Sequence, residues 1–368
     1  MIRFGIVLAL CHIAFAGIPY SGPYLSKNSI YPGQQQQQKY DSAKYPGQQY
    51  FASNRSQYEN TALLASKFSH LTKTWVAGSN PLPPSAYIGG VLLEGLKESR
   101  LSQGIFIRDG DDDLVLPQSF DARQRWPECP SLNVVRNQGC CGSCWAVSAA
   151  AAMTDRWCIH SKGKDQFTFG GHDLLSCCHN CGRGCLGGWL GPAWQYWVEQ
   201  GISSGGPYNS QQGCHPYPID VCSSGDEEVP TPKCLKKCRS GYNLPDAFQD
   251  RHYGRVAYSL PTEEEKIMEE IYRNGPVQAS YRLYLDFMAY KSGVYRHTWG
   301  PLQGGHAVVI LGWGEENGVK YWLCKNQWGA EWGDRGFFKI VRGENHLAFE
   351  EDVHAGLPSY KRDPSGYY

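Results

Sequence analysis

The distribution of apolar residues divides the C-terminal two thirds of the chain into a helical half and a β-rich half. "WAVSAAAAMTDRW" is rich in Ala and lacks Gly and Pro, and "GPAWQYWVEQG" has Pro near its start and Gly at its end, so both predict helices. "HAVVILGWG", "KYWLCKNQW" and "GFFKIVRG" are short β-prone runs separated by Gly, which predicts strands. Between the halves, Thr262 and Glu265 form a capping-box pattern before a predicted helix that Gly275-Pro276 ends. This pattern predicts an α+β fold with a helical lobe, a mostly β lobe and a ligand-binding cleft between them.

The first 16 residues have the three parts of a secretory signal peptide. A basic start at Arg3 precedes a mostly apolar run, and Ala14-Phe15-Ala16 is a small-x-small cleavage signal. The run is shorter than the roughly 20 apolar residues that span a bilayer. We expect residues 1–16 to be a signal peptide, with a buried N-terminal helix as the alternative, and the protein to enter the secretory pathway, ending in a lysosome or outside the cell.

Residues 17–115 differ in amino-acid composition from the rest of the chain. Residues 17–60 are Gln-rich and contain "YPGQQ" twice, a composition that cannot bury enough apolar surface to order itself. The sequon at Asn54 lies in this stretch. Weak helical spacing returns between Thr61 and Arg100, and the acidic "RDGDDDLVLP" predicts an exposed linker and processing site. The Cys-rich domain therefore begins near Leu116 and extends to residue 368.

Charge and cysteine content narrow the classes of function. The chain has 35 Lys and Arg and 35 Asp and Glu, so its formal net charge is zero. This balance gives no electrostatic case for nucleic acid or an anionic membrane as a partner. Fifteen cysteines fit either disulfides in an oxidising compartment or metal sites. The predicted signal peptide favours disulfides.

Three cysteines lie close together in "NQGCCGSCWAV", and only Cys144 lies directly at the start of the predicted Ala-rich helix. The backbone N–H groups and the dipole at a helix N-terminus stabilise a thiolate, which is the reactive form of Cys. Cys140 and Cys141 lie upstream in a Gly-rich loop without that advantage. The sequence therefore predicts Cys144 as a nucleophile.

A thiolate needs a base, a group that orients the base, and donors for an oxyanion. His306 begins a predicted strand after two glycines and is the candidate base. Asn326 in "KNQWG" is the candidate orienter, and the Gln138 amide is the candidate oxyanion donor together with the Cys144 N–H. Each residue alone has an ordinary structural explanation, so the prediction depends on their combination.

Several motifs together resemble the papain family of cysteine proteases, in its cathepsin B-like branch. "CGSCW" matches the nucleophile signature C-G-[SA]-C-[WY] of that family. His306 and Asn326 lie roughly 30 residues farther downstream than the ~130–150 residues that the signature expects, which indicates an insertion such as Cys214 to Cys238. "LPQSFDARQRWPECP", "GCLGGW", "GGHAVVILGWG" and "WGDRGFFKI" follow the family's order, and "LTKTWVAGSN" resembles its propeptide.

The resemblance implies a papain-like two-lobe fold, a β-barrel-like second lobe and peptide-bond hydrolysis without a cofactor or metal. Residues 17–115 would be an inhibitory propeptide and 116–368 the mature peptidase. Its implied partners are protein and peptide substrates, the propeptide and cystatin-like inhibitors, with neither nucleic acid nor membrane.

Gln327 stands where the family usually has Ser, and its side chain is bulky enough to disturb Asn326. The residues assigned to substrate binding and shielding are Gly187, Gly188, Trp328 and Asp352, the last in a pocket that tolerates a basic side chain.

The resemblance also implies a disulfide framework. The implied pairs are Cys129–Cys158, Cys141–Cys185, Cys177–Cys234, Cys178–Cys181 and Cys214–Cys238. Cys140 and Cys222 lack their usual counterparts, and we hypothesise that they pair with each other. Cys324 is expected to be a free residue in an interior strand. One rival interpretation is a zinc-stabilised binding module built on Cys178, Cys181 and His179, with Cys234 and Cys238 completing the set. A second rival is a secreted non-catalytic homologue.

The insertion from Cys214 to Cys238 resembles a shortened occluding loop. In the cathepsin B-like branch two histidines of this loop bind the C-terminal carboxylate of a substrate. Here the matching stretch contains Asp226-Glu227-Glu228, and His215 is the one His of the loop. Asn137 replaces an acidic residue that pairs with a loop histidine. The resemblance and these changes predict a mainly endopeptidic enzyme with weak dipeptidyl carboxypeptidase activity.

Overall fold

The computed structural model describes residues 61–81, 88–101, 114–222 and 229–360. The predicted signal peptide, the Gln-rich segment with its sequon, and Asp226-Glu227-Glu228 lie outside these residues. Within the described ranges, no helix combines the length and the apolar character needed to cross a membrane.

Seven α-helices lie in the described residues, and three of them form the helical lobe. The seven helices are α1 (Thr61–Phe68), α2 (Leu96–Ser99), α3 (Ala122–Arg125), α4 (Cys144–His160), α5 (Gly171–Cys177), α6 (Leu190–Glu199) and α7 (Glu264–Asn274). The lobe contains α4 to α6. The two long helices predicted from composition correspond to α4 and α6. The predicted capping box before α7 is wrong, because the helix begins at Glu264 and its N-cap Glu263 makes no side-chain cap hydrogen bond.

Nine strands form the second half of the fold. They are β1 (Trp75–Ala77), β2 (Phe120–Asp121), β3 (Gly254–Ser259), β4 (Val277–Tyr284), β5 (Tyr290–Tyr295), β6 (Leu302–Glu316), β7 (Val319–Lys325), β8 (Phe337–Val341) and β9 (Val353–Pro358). The strand order is β1-β5-β8-β7-β6-β4-β9-β3, with β2 paired to β6. All pairs are antiparallel except β5 with β8. The predicted α+β class is confirmed.

Helix α4 is buried on every side. All of its residues from Cys144 to Ile159 are buried, as expected for a helix with little polarity on any face. Gln278 in β4 ties its first turn to the sheet, because its amide donates to the Trp145 carbonyl at 2.9 Å and to the Ser148 hydroxyl at 2.7 Å. The position of Cys144 relative to the strands is therefore fixed by hydrogen bonds as well as by packing.

Two charged residues of α4 form buried ion pairs with the β-rich half. Asp155 meets Lys325, the last residue of β7, at 2.8 Å, and both side chains are at most 2% exposed. Arg156 meets Glu270 in α7 at 2.5 Å and is fully buried. Its guanidinium also donates to the carbonyls of Gly356 and Gly275. The ion pairs connect α4 to β7 and α7, and the hydrogen bond to Gly356 connects it to β9.

Residues 61–81 and 88–101, called here the upstream segment, pack against the β-rich half. β1 joins the edge of the sheet by pairing with β5. Asn80 is buried and donates to the carbonyls of Met288 and Tyr290 at 2.9 Å. Phe68 stacks on Trp299 with ring centroids 3.5 Å apart. The upstream segment is thus held by backbone pairing, buried amides and aromatic contact.

Six disulfides are present among the described residues. They are Cys129–Cys158, Cys140–Cys222, Cys141–Cys185, Cys177–Cys234, Cys178–Cys181 and Cys214–Cys238. The set contains the five pairs implied by resemblance and the hypothesised pair of Cys140 with Cys222. Cys144 and Cys324 are the free cysteines of the described ranges, and both are buried. The cysteines invoked for a zinc site are all engaged in these bonds.

Replacement of Arg156 by Ala should strongly destabilise the protein, because it leaves the Glu270 carboxylate buried without its partner. Breaking such a pair from one side costs about 3–5 kcal/mol. The free energy of unfolding, measured by urea titration without reductant, should fall by that amount. Arg125→Ala is the control, since Arg125 is exposed and should change stability by less than about 0.5 kcal/mol. Equal stability of the two variants would contradict this account.

Candidate active site

Cys144 is the first residue of α4 and is buried beside strand β6. The backbone of Ala307 hydrogen-bonds its sulfur, and Ala307 directly follows His306. Ser143, the N-cap residue, does not cap the helix with its side chain but exchanges a hydrogen bond of 2.7 Å with the Tyr217 hydroxyl. Tyr217 in turn donates to the Gln138 carbonyl at 2.7 Å. One tyrosine of the insertion therefore braces both ends of the nucleophile loop.

His306 lies in β6 and is oriented from two directions. Its Nε2 lies 2.8 Å from Oδ1 of Asn326. The Trp328 ring covers the imidazole, with centroids 4.8 Å apart and planes inclined by 31°. Nδ1 of His306 is buried and has no hydrogen-bond partner in the described part of the chain. The ring is thus held by Asn326 through one nitrogen, which leaves the other nitrogen for Cys144.

Gln138 is fully buried and points its amide at the centre of the site. Nε2 donates to the Cys141 carbonyl at 2.9 Å and to the carbonyl of Gly89, in the upstream segment, at 3.2 Å. A carbonyl oxygen from another part of the chain thus occupies the donor predicted to stabilise an oxyanion. The four predicted catalytic residues lie on the nucleophile loop, α4, β6 and the end of β7, and the fold brings them together.

Gln327 does not displace Asn326 from His306. Its Nε2 donates to the Ala307 carbonyl at 2.5 Å and lies 3.4 Å from Nε2 of His306. Its backbone carbonyl accepts the Gln138 N–H at 3.0 Å. The side chain of Gln327 therefore contacts the base strand β6, while its backbone contacts the oxyanion loop, and the sequence alone does not reveal the side-chain contact.

Residues 88–92 of the upstream segment run through the cleft and contact both of its walls. Leu92 donates to the Gly188 carbonyl at 3.1 Å, and Gly90 donates to the Gly305 carbonyl at 2.9 Å. Gly90 has φ +153°, and a Cβ there would lie 2.1 Å from the Gly142 carbonyl oxygen. Only glycine can pass this close to the nucleophile loop. The predicted backbone-binding wall at Gly187 and Gly188 is therefore in contact with an extended chain.

The covered cleft shifts both catalytic groups toward their neutral forms. Burial raises the pKa of the Cys144 thiol to about 12, although backbone hydrogen bonds from Ala307 and Trp145 oppose the shift. Burial also lowers the pKa of His306 to about 4, against the hydrogen bond from Asn326. The expected low thiol pKa is therefore wrong for this covered form, because loss of water outweighs the helix N-terminus.

Asp352, predicted to lie in a substrate pocket, is buried just before β9. Its carboxylate lies 2.8 Å from Nε2 of His354 and accepts a hydrogen bond of 2.5 Å from the Ser280 hydroxyl. His354 is not among the residues predicted from the sequence. Its signal is the spacing of two from Asp352 in an extended segment, which places both side chains on one face.

The insertion from Cys214 to Cys238 is fixed to the rest of the protein by disulfides and hydrogen bonds. The Cys140–Cys222 disulfide joins it to the nucleophile loop, and Cys177–Cys234 joins it to α5. His215 is 2% exposed, with its ring nitrogens 3.0 Å from the Ser203 hydroxyl and the Lys237 carbonyl. It is therefore closed off from any substrate carboxylate.

Comparison with known protein families gives one match that spans most of this domain. Residues 116–357 match the Peptidase_C1 family, described as papain family cysteine protease. The chain is 44% identical over 256 residues to a cathepsin B-like cysteine proteinase of Schistosoma japonicum, covering 67% of this chain and 75% of that protein. It is 40% identical over 311 residues to cathepsin B-like cysteine proteinase 5 of Caenorhabditis elegans, covering 79% and 88%.

Solved structures give the same family and extend the likeness to the upstream segment. Procathepsin B S9 from Trypanosoma congolense superposes with a TM-score of 0.71 at 36% identity, covering 81% of this chain and 98% of that chain. Digestive procathepsin L2 of Tenebrio molitor superposes with a TM-score of 0.58 at 26% identity, covering 88% and 95%. Both relatives are described as proforms, and the predicted papain-like fold is confirmed.

Removal of the upstream segment should accelerate alkylation of Cys144 at neutral pH. With a pKa of about 12, the thiol of the covered form stays protonated at pH 7, and its reaction rate with iodoacetamide should keep rising through pH 10. A chain beginning at Leu116 should react at least ~100-fold faster at pH 7, since each pKa unit changes the thiolate fraction about tenfold. Peptide mapping measures the rate at Cys144, and Cys144→Ser reports the background at Cys324. Equal rates in the two forms would contradict the proposed effect of burial.

Proposed function

This chain belongs to the papain family of cysteine proteases, in its cathepsin B-like branch, and on that basis we propose that it hydrolyses peptide bonds through Cys144, His306 and Asn326. The observation that carries the proposal is the hydrogen bond of 2.8 Å between Asn326 and Nε2 of His306. It leaves Nδ1 of His306 to exchange a proton with Cys144. A scaffold that had lost catalysis would not need this orientation.

The proposed reaction has two stages. His306 takes the thiol proton, and the Cys144 sulfur attacks the scissile carbonyl carbon. Gln138 Nε2 and the Cys144 N–H donate to the oxyanion that this attack forms. The oxyanion then collapses to a thioester, and the C–N bond breaks as His306 gives its proton to the leaving amine. Water, deprotonated by His306, attacks the thioester and releases the acyl product with the thiol restored. Trp328 limits the access of water to the imidazole during both stages.

We propose that the mature enzyme comprises residues 116–368 and that residues 17–115 act as its propeptide. The support is physical: residues 88–92 contact both cleft walls, and the Gly89 carbonyl accepts from the oxyanion donor Gln138. Cys144 and His306 are also fully buried in this covered form. Synthesis as a secreted zymogen fits the signal peptide and the six disulfides.

An epoxide inactivator of cysteine proteases tests the catalytic assignment. After acid processing, the protein should hydrolyse a fluorogenic peptide, and the epoxide should attach to Cys144 and stop the reaction. Cys144→Ser should lose at least about 10⁴-fold in kcat, since the reaction depends on a covalent nucleophile. Cys324→Ser is the matched control, because that thiol is free and buried outside the site. Labelling elsewhere with activity retained in Cys144→Ser would refute the assignment.

We further propose that the enzyme is mainly an endopeptidase. Removal of C-terminal dipeptides requires a cation that binds the terminal carboxylate. His215 is buried and hydrogen-bonded through both ring nitrogens, so it offers none. The Oδ1 atom of Asn137 accepts the Gly139 N–H at 2.9 Å, which keeps that side chain within its own loop. The acidic triplet at 226–228 would add like-charge repulsion.

A pair of peptides that differ only at the C-terminus tests this specificity. One peptide carries a free C-terminal carboxylate two residues after the scissile bond, and its twin is amidated. The kcat/KM values should agree within about threefold, since no buried ion pair with the carboxylate is formed. Preference for the free acid by more than an order of magnitude, with dipeptides released in sequence, would show that another cation binds the terminus.

A further inference from the structure

A buried chain of hydrogen bonds ends at the predicted pocket acid. Oδ1 of Asp352 lies 2.8 Å from Nε2 of His354, and Oδ2 accepts from the Ser280 hydroxyl at 2.5 Å. Nδ1 of His354 lies 3.2 Å from the Ser259 hydroxyl. His354 is fully buried and Asp352 is 5% exposed. Both carboxylate oxygens are thus engaged inside the protein.

This hydrogen-bonded chain has one contact toward the nucleophile and one toward helix α6. Ser280 pairs with Ala307 across β4 and β6, and the backbone of Ala307 hydrogen-bonds the Cys144 sulfur. On the other side, Gly191 approaches the imidazole: a Cβ added there would lie 3.2 Å from Cε1 of His354. A substrate side chain entering this space from the cleft meets Asp352 and His354 together.

The upstream segment covers this space in the present structure. Leu101 donates its N–H to the Ser259 hydroxyl at 2.8 Å, and Arg100 donates to the Leu260 carbonyl at 2.7 Å. The same Cβ at Gly191 would lie 2.0 Å from the Ser99 carbonyl oxygen. Removal of this segment uncovers the pocket and leaves the bonds among Ser280, Asp352 and His354 in place.

We propose that His354 is a specificity-determining residue: by engaging Asp352 together with Ser280, it makes this pocket favour uncharged aromatic or aliphatic side chains over Arg and Lys. The proposal rests on the proteolytic function proposed above and assigns its substrate class at the second residue before the scissile bond. The sequence alone predicts tolerance of a basic side chain because it reveals the acid and not its partner.

The physical reason is competition for one carboxylate. A guanidinium binds a carboxylate best when it can donate to both oxygens at once. Here Nε2 of His354 and the Ser280 hydroxyl already occupy them. An incoming Arg must break an existing bond of a buried group, and the loss offsets most of the gain. An apolar side chain makes no such demand and gains from burial.

The ionisation of Asp352 agrees with this geometry. Burial opposes the charged form, but His354, the Ser280 hydroxyl and the nearby Arg100 outweigh it and lower the pKa of the carboxyl. Arg100 leaves with the upstream segment, whereas His354 and Ser280 remain as the internal partners that favour the carboxylate form of Asp352.

Two reporter peptides that differ only at the second residue before the scissile bond, Arg or Phe, test the proposal on the processed enzyme. The measured quantity is the ratio of kcat/KM for Arg to that for Phe, in wild type, His354→Leu, Asp352→Ala and the double variant. Leu approximates the volume of His without a donor. Ser280→Ala frees one oxygen of Asp352 and serves as a second route if His354→Leu does not fold.

We expect the wild-type ratio to lie below one and His354→Leu to raise it about tenfold, the size of one recovered charged contact. Ser280→Ala should raise it about threefold. Asp352→Ala should lower the ratio less than about twofold in the wild type, and about tenfold when His354 is already Leu. A tenfold fall with Asp352→Ala alone, or a ratio that neither His354→Leu nor Ser280→Ala changes while Phe is still cleaved, would overturn the proposal. Failure of the wild type to cleave either peptide would instead refute the proteolytic function.

Discussion

The arrangement of the whole molecule depends on the burial of helix α4. Its polar groups must find partners inside the protein, because a charge buried without a partner is strongly unfavourable. Asp155 finds Lys325 at the end of β7, and Arg156 finds Glu270 in α7. Lys325 immediately precedes Asn326, so the first pair sets the distance between the nucleophile helix and the residue that orients His306. The ion pairs that satisfy the helix thus also align the two halves of the active site.

Burial also changes the ionisation of the two proposed catalytic groups, Cys144 and His306. With residues 88–92 in the cleft, the thiol pKa rises and the imidazole pKa falls, so both groups stay neutral and the reactive ion pair is disfavoured. No catalytic residue is displaced to achieve this. If residues 17–115 act as the propeptide, as proposed, their removal exposes the sulfur to water, and the helix N-terminus then favours the thiolate. In that proposal latency comes from the covering chain, because Cys144, His306 and Asn326 are already placed together beneath it.

Sequence patterns predicted the fold class, helices α4 and α6 and the long strands. The spacing of apolar residues and the positions of Gly and Pro depend directly on local structure. The residues assigned to catalysis followed from chemistry and resemblance, and the structure brings Gln138, Cys144, His306 and Asn326 together. The capping box before α7 failed because an end-of-helix motif competes with tertiary packing. The thiol pKa failed because burial by a chain more than 40 residues upstream in sequence leaves no local trace. Gln327 and Tyr217 were misjudged or missed because their partners are distant in sequence. His354 was missed although Asp352 is only two residues away, because their contact depends on both side chains lying on one face of an extended segment.

Where this chain departs from its family, each unusual residue contacts a specific partner within the protein. Cys140 and Cys222 each lack a familiar counterpart, and they bond to each other. Gln327 replaces a smaller residue and finds the Ala307 carbonyl, which keeps Asn326 free for His306. Asp352, the proposed acid of the substrate pocket, has His354 as its hydrogen-bond partner. A buried polar or reactive group that appears alone is costly, so a second change that satisfies it restores stability and alters the site at the same time. When the catalytic residues stay the same, differences in specificity therefore arise most readily at certain positions. These are positions where a second side chain, on a neighbouring strand or loop, can form a bond with the new one.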